Sequence, residues 1–285
     1  MKRIFTFGLL VAAAFALTNC AQKESYAPVQ EETKKYVDCE VVVKFPAETK
    51  TYNNGISTMW SADDQICLIA SYYENQSSSW WPNYVLVEDP CDNPFVHQGK
   101  GKFLGKLEQE IIYGGLSDWL GGSFKAVYPY TKDGSYVIPA STVQAGYNST
   151  AHLAGANCPL VGEVTLSIDQ SYADMWSDER PYTLPEITLK HATSVIEVAV
   201  VNSTSAAINV NEVDFLVGGE VKATTVVENA GALAAGETAL VYIVVEPGTY
   251  SDLSFTVNDT IVKNINAAEA TFTAGVIKKV NFEVK

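Results

Sequence analysis

Alternation of apolar and polar residues with a period of two most constrains what this chain can fold into. In YVDCEVVVKF, Val37, Cys39, Val41, Val43 and Phe45 share one face, while Asp38, Glu40 and Lys44 share the other. Successive side chains of a strand point to opposite sides, so this is the pattern of a half-buried β-strand. It returns in QICLIA (Ile66, Leu68, Ala70), EVTLSID (Val164, Leu166, Ile168), SVIEVAVVN (Ile196, Val198, Val200), LSFTV (Leu253, Phe255, Val257) and VNFEVK (Val280, Phe282, Val284). ALVYIVVEP is apolar on both faces, which predicts a central sandwich strand. Turn residues lie between the runs: Asn53-Asn54-Gly55, Asp133-Gly134, Gly218-Gly219, Pro247-Gly248 and Asn258-Asp259. Helical periodicity is weak, and its best candidate, GGLSDWLGG, is barely two turns long. Many short strands separated by turns predict an all-β chain of antiparallel β-sandwiches.

Two such sandwiches fit the length. The Pro-bearing stretch Ser177 to Pro185 separates a loop-rich half, rich in Trp and Tyr, from a more regular half rich in Val, Thr and Ala. The expected domains are 36–180 and 186–285, each of ordinary domain size. Ahead of them, AQKESYAPVQEETKK is polar and without periodicity, so residues 20–35 read as a flexible tether.

The N-terminus sets the compartment. Lys2 and Arg3 precede the uncharged run Ile4 to Leu17, which has the form of a secretory signal over residues 1–19. That run is too short to span a bilayer, which needs about 20 apolar residues. Leu17-Thr18-Asn19-Cys20 resembles a bacterial lipobox, with Asn19 standing where Gly, Ala or Ser is usual. The resemblance implies that Cys20 becomes the first mature residue and carries acyl chains. Two or more chains hold a protein stably on a membrane, because each buried CH₂ contributes about 0.8 kcal/mol.

Charge excludes one class of partner. Removing residues 1–19 leaves 33 Asp+Glu against 19 − 2 Lys+Arg, a formal charge of −16 for the mature chain. Such a surface repels phosphate backbones, so no nucleic-acid partner is expected, and it repels anionic headgroups, so lipid must do the anchoring. Beyond Cys20, four cysteines remain: Cys39, Cys67, Cys91 and Cys158. They allow three pairings, which an oxidising compartment permits without requiring; for Cys39 a buried free thiol is the preferred reading.

A catalytic pattern is missing from the sequence. His97, His152 and His191 are far apart, and there is no HExxH, G-x-S-x-G, G-x-G-x-x-G, P-loop or paired-cysteine zinc spacing. Asp63-Asp64 beside Trp60 reads as a pair of turn acids, and His191 as a hydrogen-bonded structural histidine. Asp169, Ser171 and Asp174 lack the acidic density of a calcium loop. Neither enzyme activity nor a cofactor or metal is expected.

The aromatics Tyr72-Tyr73, Trp80-Trp81, Tyr84, Trp119 and Trp176 lie in Ser-, Asn-, Asp- and Gly-rich surroundings. Flat, rigid side chains in loops can stack on sugars or anchor a protein partner; alternatively they plug the ends of a sandwich. Trp80, Trp81, Trp119 and Trp176 are the candidate ligand contacts.

Several pieces then occur in a recognisable order: the lipobox, an early alternating strand, TxMWSADDQI (Thr58 to Ile66), AVYPY (Ala126 to Tyr130), ITLKHATSVIEVAV (Ile187 to Val200) and TFTAGVIKKVNFEV (Thr271 to Val284). In that order they resemble the fimbrillin family, pilins and surface lipoproteins of Gram-negative gut and oral anaerobes. The resemblance implies two tandem transthyretin-like sandwiches, export to the outer membrane as a lipoprotein, and partnership with other pilus subunits by strand addition. In that mechanism the first strand, here Val37, Cys39, Val41, Val43 and Phe45, is removed and a neighbour's segment fills the groove. Two departures turn the reading towards an anchor or accessory subunit. The activating cleavage of well-known members follows an arginine, and none lies between Cys20 and Arg180. The closing strand VNFEVK is followed by no donor extension. The alternative is a stand-alone surface lipoprotein that binds host or dietary glycans through its tryptophans.

Overall fold

A computed structural model describes residues 34–45, 60–77, 80–81, 83–90, 92–109, 111–112, 122–166, 181–265 and 269–285. Nearly all regular structure in it is strand. In chain order these are β1 (Tyr36–Lys44), β2 (Gln65–Asn75), β3 (Tyr84–Pro90), β4 (Phe95–Gly99), β5 (Lys102–Glu108), β6 (Gly122–Tyr128), β7 (Ser141–Ala145), β8 (Leu160–Thr165), β9 (Tyr182–Thr188), β10 (Lys190–His191) and β11 (Ser194–Asn202). There follow β12 (Glu212–Val217), β13 (Glu220–Glu228), β14 (Thr238–Val245), β15 (Gly248–Tyr250), β16 (Leu253–Val257), β17 (Thr260–Ile265), β18 (Ala270–Phe272) and β19 (Ile277–Val284).

The first nine-stranded sheet runs β10-β8-β6-β2-β4-β5-β1-β9, with β3 added to β2. β2 turns the corner: Gln65 and Ile66 pair with β4, while Cys67 to Tyr72 pair with β6. The ends of the sheet meet, because β9 at one edge continues through Leu189 into β10, which pairs with β8 at the other. Gly162 permits that closure, since a Cβ there would stand 2.4 Å from the Thr188 carbonyl oxygen. Inside lies a core of Cys39, Val41, Val43, Ile66, Leu68, Phe95, Phe103, Leu107, Phe124 and Ile187. The alternation read in QICLIA is incomplete: Ile66 to Ala70 are all buried, because Cys67 and Ile69 pack with Val127 in a smaller cluster on the opposite face.

A second core gathers Ile196, Val198, Val200, Phe215, Val241, Ile243, Phe255 and Phe282 between the sheets β14-β11-β19 and β17-β16-β12-β13-β7. One chain continuation and one strand pairing join the halves of the chain. β11 carries on directly from β10, and β7, which precedes the expected boundary near residue 180, lies parallel to β13 in the second core's larger sheet.

The strand ALVYIVVEP differs from its expected place. β14 is buried on both faces but stands at the edge of its sheet, not in the middle. Side chains complete its outer edge. Gln144 Nε2 donates to Leu240 O, Tyr242 N donates to Gln144 Oε1, Leu240 N donates to Asn148 Oδ1, and Thr225 Oγ1 donates to Tyr242 O, all at 2.9–3.1 Å. His152 Nε2 meets the same Tyr242 oxygen at 3.0 Å. Amide and hydroxyl side chains thus do for β14 what a neighbouring strand would do.

Candidate binding surface

The first strand occupies a slot between two ladders. β1 pairs antiparallel with β5 from Tyr36↔Glu108 to Val42↔Lys102, and parallel with β9 from Cys39↔Tyr182 to Lys44↔Thr188. Cys39, Val41 and Val43 are fully buried, and Val37 and Phe45 are half-buried against the same core. At about 1.5–3 kcal/mol for each large buried side chain, the strand contributes several kcal/mol, comparable to a domain's whole net stability of about 5–15 kcal/mol. The tether enters this slot under charge pairing. Lys34 bonds Glu108 and Asp92, and the Glu108 hydrogen bond, ahead of the charges, raises the Lys34 ammonium above its ordinary pKa. Tyr36 donates to Asp92 at 2.6 Å, a bond that lowers the Asp92 carboxyl.

Two motifs that carried the family resemblance meet at the mouth of the first core. Trp60 stacks on Phe45 at 4.5 Å and meets Phe103 and Tyr128 edge-on at 4.8 and 5.3 Å. Asp64 accepts from the Ser61 amide through Oδ2 and from the Tyr128 hydroxyl through Oδ1. Burial, with Asp64 adding to it, pushes the Tyr128 phenol up to about 12. Tyr130 N closes the joint by donating to Gln65 O, past a cis Tyr128–Pro129 bond. Asp64 is therefore a turn acid, as read from sequence, and it also holds WSADDQI to AVYPY, which the sequence did not indicate.

The exposed aromatics stand elsewhere. β2 and β3 form a ribbon whose outer part, from Tyr73↔Leu86 to Asn75↔Tyr84, pairs with no other strand among the described residues. Asn75 closes the base of its loop: Oδ1 accepts from Ser77 N and Asn83 N, and Gln76 N donates to Asn83 O. Beyond that base Trp80 is 99% exposed and Trp81 is 84% exposed. These two rings fill no end of a sandwich. Tyr72, Tyr73 and Tyr84 belong to the ribbon's strands and are half-buried, so sequence assigned them to loops where the chain makes strand. Leu86, 54% exposed, and Val85 extend the apolar surface along β3. Sequence reasoning passed over both; the signal was YVLV, apolar on both faces and next to the tryptophan pair.

Trp119, Trp176, Cys20, Cys91, the GGLSDWLGG segment and the Asp169–Ser171–Asp174 group lie outside the described residues. Cys39, Cys67 and Cys158 are buried, and burial pushes the Cys158 thiol up to about 11. His191 is buried at the passage from β10 towards β11, and burial brings its pKa down to about 4. Among the described residues, one group of carboxylates converges: Glu212, Asp214 and Asp259. Asp214 is already engaged, accepting from Thr224 Oγ1 at 2.6 Å and Thr256 Oγ1 at 2.7 Å.

No protein-family model and no curated protein matches the sequence. Several solved structures align with it. A fimbrial protein from Bacteroides ovatus aligns over 88% of this chain and 50% of its own, at 13% identity and a TM-score of 0.40. A second Bacteroides ovatus protein, assigned to cell adhesion, aligns over 88% of this chain and 93% of its own, at 14% identity and 0.39. A Bacteroides thetaiotaomicron protein assigned to polysaccharide binding aligns over 81% of this chain and 80% of its own, at 12% identity and 0.36. The structural neighbours are thus fimbrial and adhesion proteins of Bacteroides, related by structure alone, and this chain spans half the length of the first of them.

Proposed function

We propose that the chain is a fimbrillin-like surface lipoprotein of the outer membrane, an adhesive and structural subunit that anchors or accompanies a pilus. The observation that carries this is the high exposure of Trp80 and Trp81 at the end of a ribbon, on a chain whose other described tryptophan, Trp60, is packed in place. Keeping two indoles in solvent costs free energy that contact with a partner recovers, and such rings anchor both proteins and sugars. The tether and β1 support the anchoring half of the reading. A lipid at Cys20 would load the chain at Tyr36, and β1 meets that load with ladders on both sides. Two tandem sandwiches, one around each core, give the anchor its body, and the β1 slot is where strand addition by another subunit would act.

The test is mass spectrometry of the protein from native outer membranes, paired with binding. A diacylated Cys20 peptide as the sole N-terminus, together with co-purifying pilus subunits, is the expected result; an unmodified N-terminus overturns the anchor. The variant Trp80→Ala/Trp81→Ala should fold normally and lose at least tenfold in retention on its partner surface. Retention on glycan arrays without any pilus subunit would favour the stand-alone glycan-binding reading, which the same exposed rings serve.

A further inference from the structure

β7 is the terminal strand of the second core's larger sheet, and its free edge differs from those of the other strands that end a sheet of three or more. Natural sheets guard their edges with charge, proline or a covering segment. β3 carries Glu88 and Asp89, β9 carries Pro185 and Glu186, β17 carries Lys263, and β19 carries Lys278, Lys279 and Glu283. β14 has no charge, but Gln144, Asn148, Thr225 and His152 cover it. Among the described residues, β7 has neither device. The sequence is uncharged from Gly134 to Ala151, within a chain of formal charge −14.

The orientation of β7 is fixed. Thr142 and Gln144 point inward and are buried, while Ser141, Val143 and Ala145 face water, Val143 at 49% exposure. Thr224 N donates to Ala140 O at 2.8 Å in the parallel pairing with β13. In a parallel ladder alternate residues turn their amides to one neighbour, so Thr142 and Gln144 face β13. The N–H and C=O of Ser141, Val143 and Ala145 then point away from the sheet.

We infer that this edge is a self-association site, where β7 of one copy pairs antiparallel with β7 of a second copy about a two-fold axis at Val143. The register is self-complementary. With Val143 opposite Val143, Ser141 stands opposite Ala145, and all three outward-facing residues fall in hydrogen-bonded pairs, since these alternate along an antiparallel ladder. Thr142 and Gln144 keep their inward bonds, so pairing costs neither copy its own core contacts. A two-fold contact of one patch with itself is the commonest route to a dimer. Charge selects a like partner at this place. Two strongly acidic bodies repel, and an uncharged strip lets them approach without bringing carboxylates together. Salt screens the remaining repulsion, with a Debye length of about 10 Å at 0.1 M and about 3 Å at 1 M. Association therefore strengthens with salt.

The experiment is sedimentation of the exported full chain carrying Cys20→Ser, across protein concentration at 20 mM and 500 mM NaCl. A reversible dimer that tightens at least threefold with salt is expected, and Val143→Lys should be monomeric with an unchanged urea midpoint. Val276→Lys, at another exposed valine (42%), should dimerise as the parent does. Hydrogen exchange supplies a reading independent of any variant: the Val143 amide should exchange freely in dilute protein and gain protection as concentration rises. Parent protein that stays monomeric at both salts, dimers that survive Val143→Lys, or a Val143 amide already protected in the monomer would each overturn the site.

Discussion

At the residue scale, the joint between Asp64 and Tyr128 shows how two weak motifs become one feature. WSADDQI and AVYPY are far apart in sequence and each is unremarkable alone. Their acid and phenol bond at 2.9 Å in a half-buried place, beside the stacked Trp60. A hydrogen bond to a charged group contributes about 1.5–3 kcal/mol, so Tyr128→Phe should lower the unfolding free energy by about 1–2 kcal/mol, read from the urea midpoint at constant slope. Asp64→Asn should lower it by a similar amount, and the double variant by little more, because one bond is being counted. Additive losses would show that the two groups act separately. His191 sets a second residue-scale effect. Its pKa falls from the ordinary 6.5 unfolded to about 4 folded because burial disfavours the charged ring. Between those values the unfolded chain binds more protons than the native one, so stability rises with pH across that window and falls on acidification. The contribution lost between pH 7 and pH 5 is about 2 kcal/mol. His191→Gln should flatten that part of the stability–pH profile; a slope unchanged in the variant would remove His191 as its source.

At the element scale, strands whose apolar residues point inward were legible from sequence. β1, β11 and β19 turn the residues their alternation picks out towards a core, where Val37, Val280 and Val284 are half-buried and the others buried. The tryptophan pair was also visible, though its 99% and 84% exposure was not, since nothing in the local pattern distinguishes a plug from a protruding tip. β7 was illegible for a definite reason. Its buried positions are Thr142 and Gln144 and its exposed one is Val143, so its polarity is inverted relative to an ordinary surface strand. That inversion makes sense only once β14 is known to stand at an edge with outward amides to satisfy. Gln144 donates to both Gly146 O and Leu240 O and accepts from Tyr242 N, at 2.9 Å each. Gln144→Ala would leave the Tyr242 amide buried without its acceptor, at a cost of about 2–3 kcal/mol. Gln144→Glu keeps the acceptor but loses the donor and adds a buried charge, so it should be at least as damaging. If either variant kept the parent's midpoint, β14 would not depend on this side chain.

At the scale of the whole molecule, the two cores are linked in both directions along the chain. Leu189 belongs to the first core and Ile196 to the second, with only β10 and a short turn between them. Moving the other way, the chain leaves β6, places β7 in the second core's sheet and Tyr147 against that core, then returns to the first sheet as β8. Unfolding the second core therefore releases β7 and pulls on the ends of β6 and β8, strands that help close the first sheet. Two sandwiches joined by a single exposed linker would melt apart independently, as domains with small interfaces generally do. Here a shared transition is expected. Phe255→Ala, deep in the second core, should cost about 3–5 kcal/mol, typical of a buried phenylalanine. Native-state hydrogen exchange then separates the cases. In a coupled molecule the slowest amides of Leu68 in the first core and Val241 in the second lose protection together by the same free energy. Protection lost at Val241 but retained at Leu68 would mean that the crossings made by β7 and β9–β11 do not transmit stability, and that the halves fold as separate bodies.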